Sequence, residues 1–419
     1  MDLLLCPISY GALRKAYWGY FINFISLVHK NTFMRLRLLT VILFYLMYAG
    51  AADAQKRIYV NEYLNIGVGG RGLAMAGTQV ATARDATAGY WNPAGLMQVQ
   101  SDLEVGLMHA EYFSGNAKYD FGSIVKPLKD KKRVVGLSVL RFAIDDIPNT
   151  IDYIQPDGSF DETKLKSMSA GDYAFLLSYA QDIKIFKNVG IKTRIGGNAK
   201  VIYRHLGAMA NAWGVGVDLG VQGSYKKWEF GIMAKDITTT YTAWSFHLTE
   251  KEKQIFFQTG NEIPIKSYEV MLPRLNFGIA RPLTRQGKPI QLLAEAGLDL
   301  TTDGKRNTLI STDVLSLDPH LGLEASYKNA VYLRAGIGNM QRVLDDNDTL
   351  NQKKVLLFQP SVGAGVKIDW LVVDYAFTSL QTQSNPLFTH IVSIRLLLKN
   401  KSGTRRVYDE EIPPSTSSK

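Results

Sequence analysis

Beyond residue 100 the chain alternates. Val215, Val217, Leu219 and Val221 hold one parity and Gly216, Asp218, Gly220 and Gln222 the other, the period of two that sends one set to each face of an extended strand. Leu371, Val373, Tyr375 and Phe377 interleave in the same way with Val372, Asp374, Ala376 and Thr378, and Val392, Ile394, Leu396 and Leu398 with Ile391, Ser393, Arg395 and Leu397. The rhythm predicts strands over about 102–112, 118–128, 133–144, 172–183, 191–205, 212–225, 227–236, 272–283, 288–302, 319–328, 330–341, 354–369, 370–380 and 388–399, fourteen in all. An even number of antiparallel strands is what a closed single-chain bacterial membrane barrel requires. The expected fold is therefore all-β, a transmembrane antiparallel barrel over 101–399.

The connections sort by length. Tight ones fall at Lys129–Lys132, Ile185–Gly190, Lys226, Arg285–Gly287, Asn329 and Asp369-Trp370, and they alternate with longer ones, of which 145–171 and 237–271 are the largest. Outer-membrane barrels have short periplasmic turns and long outer loops, so both termini are expected in the periplasm and the long loops outside. Tyr112, Phe113 and Tyr119 flank the first outer turn, while Tyr225, Trp228 and Trp370 sit at tight turns. Their grouping is expected to form interfacial girdles, although any one aromatic is also at home in a strand.

One passage alternates nowhere. Asn61 to Leu96, NEYLNIGVGGRGLAMAGTQVATARDATAGYWNPAGL, is crowded with Gly, Ala and Thr. Small side chains let backbone pack tightly in a confined space. Pro93 forces Asn92 out of the helical region, so a compact segment should end there and pass into extended chain. Residues 55–100 are accordingly expected to be a plug in the lumen, since a barrel of this width is not filled by wall side chains alone. The run from Arg84 and Asp85 through Trp91, Asn92 and Pro93 to Leu96 resembles the N-terminal signature of FadL-type outer-membrane barrels. The whole block from Glu62 resembles the PorV/PorQ group of the Bacteroidetes type IX secretion system.

Before the plug, Arg35 and Arg37 precede an apolar stretch over Leu38–Tyr48 and a small-x-small site at Ala52-Asp53-Ala54. Residues 1–54 therefore read as an upstream extension and an export signal, with the start at Met34 and cleavage after Ala54. The rival, an anchor over 17–48, is interrupted by the polar HKNT at 29–32. The only cysteine, Cys6, lies in this leader, so neither a disulfide nor a thiolate site is expected in the mature chain. The formal charge of +10 is spread over turns and the charged tail at 400–419, which does not make a nucleic-acid footprint. A mean hydropathy of −0.06 with 36 Gly and 21 Tyr fits a barrel with an apolar outside and a polar lumen.

Chemical motifs are sparse. Gly67 to Gly72 formally matches G-x-G-x-x-G, but no βαβ unit surrounds it. Asp345-Asp346-Asn347-Asp348 offers oxygen ligands without the glycine and terminal glutamate of an EF-hand loop, and a solvated acidic loop explains it more simply. With no H-E-x-x-H and no G-x-S-x-G, no catalysis, cofactor or metal is expected. Arg71, Arg84 and Asp85 are expected either to tether the plug to each other or to Asp218, Asp374 or Arg395, or to face lumen water.

The PorV-like resemblance implies a carrier in type IX secretion. Such a carrier takes exported proteins by their C-terminal domains from the large translocon barrel and passes them to the attachment-complex proteins, with the outer-membrane bilayer around it. The second class is a FadL-like channel for hydrophobic small molecules, which needs an apolar cavity. Inward positions as read from parity are mostly Gly, Ser, Asp, Gln and Thr, and the expectation falls on the carrier, chiefly on the weight of the resemblance. A purely structural barrel is the third class.

Overall fold

The computed structural model describes residues 60–399 apart from 131, 154–158, 160, 261, 265, 286, 345–353 and 381–386. The expected leader with Cys6, Met34 and Ala54, the Asp345–Asp348 cluster and the tail at 400–419 lie outside the described residues. The plug comes first. It holds a 3₁₀ turn at Glu62–Asn65, α1 (Gly70–Ala74), α2 (Ala88–Trp91) and a second 3₁₀ segment at Pro93–Gln98.

All strands then join one sheet: β1 (Leu103–Tyr112), β2 (Ala117–Pro127), β3 (Arg133–Asn149), β4 (Lys166–Ile183), β5 (Lys192–Leu206), β6 (Ala210–Tyr225), β7 (Trp228–Lys235), β8 (Thr240–Phe246), β9 (Lys266–Met271), β10 (Arg274–Pro282), β11 (Ile290–Thr301), β12 (Ile310–Ser311), β13 (Ser316–Tyr327), β14 (Val331–Leu344), β15 (Lys354–Ile368), β16 (Leu371–Leu380) and β17 (Leu387–Leu398). Four of these segments make two barrel strands. β6 pairs with β7 along its second half and with β8 along its first, so β7 and β8 are one strand interrupted at 236–239, where Asp236 and Thr239 take positive φ. Its neighbour is β9 with β10, interrupted at Leu272-Pro273, where proline has no N–H to give the ladder. β12 is a short segment beside the end of β13. β1 closes on β17 from Leu103↔Leu398 to Glu111↔His390, which leaves no edge. The result is a closed fourteen-stranded antiparallel barrel, as the alternation predicts.

Two strand pairs run further than the sequence reading placed them. β3 and β4 continue through a bulge to Asn149↔Lys166, and β8 with β9 occupies both ends of the expected loop at 237–271. Between them lies α3 (Glu250–Gln258), started by a capping box in which Thr249 and Glu252 satisfy each other's backbone N–H groups. No described helix is long and apolar enough to cross a membrane.

The two faces of the wall are inverted relative to a soluble barrel. On β6, Leu219 is 49 % exposed on the outside while Asp218 is 3 % exposed on the inside. Trp213, Tyr241 and Tyr268 stand outward near the long-loop end, and Tyr225, Trp228 and Trp370 near the short turns. Tyr112 and Tyr119, however, are buried inside and pack in the apolar cluster with the plug, so they are not girdle residues. Parity decides this: Tyr112 shares its face with Met108 and Ala110.

The lumen is also less polar than the parity reading gave. Met108, Phe121, Leu140 and Leu176, inward from β1–β4, join Val68, Leu73, Tyr90, Trp91 and Leu96 of the plug in one core. The polar positions belong mainly to the other strands. Small residues on both partners let backbone meet backbone there. A Cβ at Gly231 would lie 2.1 Å from the Val80 carbonyl oxygen, and one at Gly336 would lie 2.4 Å from the Met75 carbonyl carbon.

Candidate functional site

Tethers reach the plug from around the wall. Ala81 N–H donates to Glu295 (2.9 Å), Ala86 N–H to Glu104 (2.9 Å) and Gly70 N–H to Ser393 Oγ (2.8 Å), while Asn198 and Gln222 donate to the Gly89 and Ala83 carbonyls. These wall groups satisfy backbone that a short, irregular segment cannot satisfy for itself.

The plug residues singled out in the sequence fall into two sets. Asp85 lies 3.0 Å from Arg395, and its other oxygen accepts from Thr87 N–H and Oγ. Burial pushes the Asp85 carboxyl up, but the Arg395 guanidinium and the Thr87 donors outweigh it and hold the group below the ordinary carboxylate range. Arg395 also faces Asp374 (3.5 Å), Asp374 pairs with Arg334 (2.7 Å), Arg334 with Glu324 (2.7 Å) and Glu324 with Arg71 (2.9 Å). One ladder of alternating charge thus runs from the plug through the wall and back. Arg84 instead reaches Glu229 at 3.2 Å in a far more exposed place. Asp218 does not meet the plug's charges. It pairs with Lys200 at 3.0 Å.

Trp91, Asn92 and Pro93 are buried. Trp91 donates to the Val68 carbonyl (3.0 Å) and covers Gly67 and Gly72 of the glycine run. Asn92 is extended (φ −164°, ψ 105°) as Pro93 demands, and its amide reaches the carbonyls of Val80 and Val221. The chain does not become a strand at once, because Pro93 opens a 3₁₀ segment with Asn92 as its cap.

Above this floor, towards the long-loop end, lies a cavity of about 1010 Å³. Its floor and one side are apolar or aromatic: Tyr63, Leu73, Tyr90 and Trp91 from the plug, with Tyr112 and Phe142 from the wall. Tyr90 is fixed by accepting from Gly67 N–H (3.0 Å) and donating to the Leu64 carbonyl (2.7 Å). The opposite side carries Arg274, Asn276, Asp299, Asp318 and His320 on β10, β11 and β13. Between the two, Lys235 Nζ sits 4.4 Å over the Tyr90 ring, within cation–π range. Glu62 of the plug reaches Arg306 (2.8 Å) from the loop that follows β11.

The sequence reading named none of these polar-wall residues. The signal existed in the parity of β11, where Glu295, Gly297 and Asp299 alternate with Leu292, Ala294, Ala296 and Leu298. What it lacked was the neighbour across the ladder. Among the described residues no group of His, Cys, Asp and Glu is placed to hold a metal ion.

No family model and no curated protein matches the chain. Solved structures do. The CymD monoaromatic hydrocarbon channel is 14 % identical, with 80 % of this chain and 98 % of that one covered at a TM-score of 0.51. The Ralstonia pickettii toluene transporter TbuX (13 % identity, 79 % and 98 % covered, TM-score 0.45) and a Pseudomonas aeruginosa FadL homologue (11 %, 78 % and 97 %, TM-score 0.43) are more distant. At such identity the likeness carries the fold alone, and what the chain shares with the CymD channel is its architecture: a closed antiparallel barrel of fourteen strands.

Proposed function

We propose that the protein is an outer-membrane channel whose lumen admits a small amphipathic solute from the long-loop end and holds it above the plug. The observation that carries this reading is the two-faced cavity, an aromatic floor opposite a polar wall within one open-mouthed volume. The inverted wall supports a place in a bilayer, because an apolar outside and a hydrogen-bonded, edgeless backbone are what lipid demands. Long loops outside and termini in the periplasm follow from the asymmetry of the connections. The CymD channel's monoaromatic hydrocarbons favour an aromatic body for the solute. Purified barrel in liposomes should pass a small aromatic solute faster than empty liposomes do; equal rates reject the channel.

A second reading, the type IX carrier, has its own observation. α3 is presented at the long-loop end with no buried residue and Phe257 80 % exposed, which leaves the helix open to a protein partner. The C-terminal domains of cargo, the translocon barrel and attachment-complex proteins would then meet this end. Replacing residues 247–259 with a Gly/Ser linker should abolish cargo capture in that case and leave solute flux unchanged in the channel case.

A further inference from the structure

The polar wall contains an arrangement that the fold does not require. Asn276, Asp299 and Asp318 are directly opposite one another on the adjacent strands β10, β11 and β13, so their inward side chains form one row. Two carboxylates facing each other across a ladder repel. His320, two residues along β13, reaches Asp299 through Nε2 at 3.3 Å and leaves Nδ1 on its other side.

Three atoms of this row find no partner in the protein: Asn276 Oδ1, Asp318 Oδ1 and His320 Nδ1. Asn276 and His320 are each only 6 % exposed, and all three residues line the cavity. Buried polar atoms are ordinarily satisfied, and one left alone is costly. The first two can only accept. His320 faces Asp299 as an ion pair when protonated, and its Nδ1 then carries a proton, so it is not counted among the acceptors.

The nearby cations are engaged elsewhere. Arg306 holds Asp303 and Glu62, Arg274 faces Glu62 at 3.9 Å, and Lys235 lies over Tyr90. The row therefore offers two acceptors, Asn276 Oδ1 and Asp318 Oδ1, and in Asp318 a carboxylate with no ion pair among the described residues, to whatever occupies the cavity.

We infer that this row is a subsite for a primary ammonium head group, carried on a solute whose apolar body lies against Tyr63, Tyr90 and Trp91. The inference rests on the channel reading for the site's use, and it adds the head-group chemistry. An ammonium brings donors for both acceptors and a positive charge beside Asp318. A carboxylate brings neither, and a bare hydrocarbon leaves the orphans buried.

The test compares probes sharing one ring: 2-phenylethylammonium, 3-phenylpropionate and ethylbenzene. Binding is measured by calorimetry on the purified full-length barrel, and transfer by flux into liposomes. The ammonium should bind at least about tenfold more tightly than either of the others, the scale of one charge-assisted contact. Asp318→Asn should remove the preference, as should Asn276→Leu, with both variants checked as closed barrels by their heat-shifted mobility on a gel. Equal affinity of the wild-type barrel for all three probes, or a preference for the carboxylate, overturns the subsite whether or not the variants fold. If the ring compounds cross without head-group preference, the subsite fails and the channel stands. If the ammonium binds selectively and nothing crosses, the subsite stands and the channel fails.

Discussion

Asp85 of the plug lies 3.0 Å from Arg395 of the last barrel strand, and neither side chain is more than 16 % exposed. Cutting a buried pair leaves a charge without compensation, which costs about 3 kcal/mol or more. Asp85→Asn should therefore lower the midpoint of heat-induced unfolding on a gel and raise sensitivity to small antibiotics. Arg84→Gln, at the exposed pair with Glu229, should change either quantity little.

Acid should act on the same contact. The folded Asp85 carboxyl sits below its ordinary range, so its stabilisation is complete above about pH 4 and is lost as the pH falls through the depressed value. Single-channel conductance should rise on acidification as the plug loosens, and Asp85→Asn should abolish this dependence. An unaltered pH profile in the variant assigns the response to another group.

Close backbone approach makes a second handle. Gly231→Ala sets a methyl against the Val80 carbonyl and should destabilise the plug by about 1–3 kcal/mol, seen as leak in liposome swelling. Gly122→Ala, whose added carbon would meet only Leu107 Cδ2 at 3.7 Å, should not leak. Equal behaviour of the two would mean that the plug does not press on the wall.

Deleting residues 60–98 removes the apolar core inside the lumen and its wall tethers together. A barrel that still assembles should conduct continuously in a planar bilayer, whereas the intact protein should be closed most of the time. Failure to assemble at all would make the plug a folding element first.

Orientation is checked with cysteine. In a background lacking Cys6, Phe257→Cys on α3 should react with an impermeant maleimide on whole cells, and Ile185→Cys in the turn between β4 and β5 should not. Both parent side chains are exposed, at 80 % and 58 %, so access alone does not separate them. Labelling at 185 reverses the barrel.

The fold was legible because it rests on parity, which is local. Leu219 out and Asp218 in need no knowledge of the rest of the chain. Parity also places Tyr112 and Tyr119 inward, and reading them as girdle residues gave position along the strand more weight than face. The loop at 237–271 hid β8 and β9 because Asp236–Thr239 and Leu272-Pro273 break the rhythm where the strand pairing is interrupted. The polar row was out of reach for a different reason. Asn276, Asp299 and Asp318 meet only through register, which depends on the loop lengths between three strands.

The plug touches both sides of the seam where the barrel closes: Ala86 bonds to Glu104 on β1, while Gly70 bonds to Ser393 on β17 across 323 residues of sequence. The earliest-made part of the domain thus docks on its last-made strand. A chain whose final strand has not yet arrived offers only half a landing surface, and the contact that completes it spans nearly the whole domain, the slowest kind to form. Seating of the plug is then a report that the circle is complete, and a barrel stalled short of closure stays distinguishable by its loose N-terminal segment.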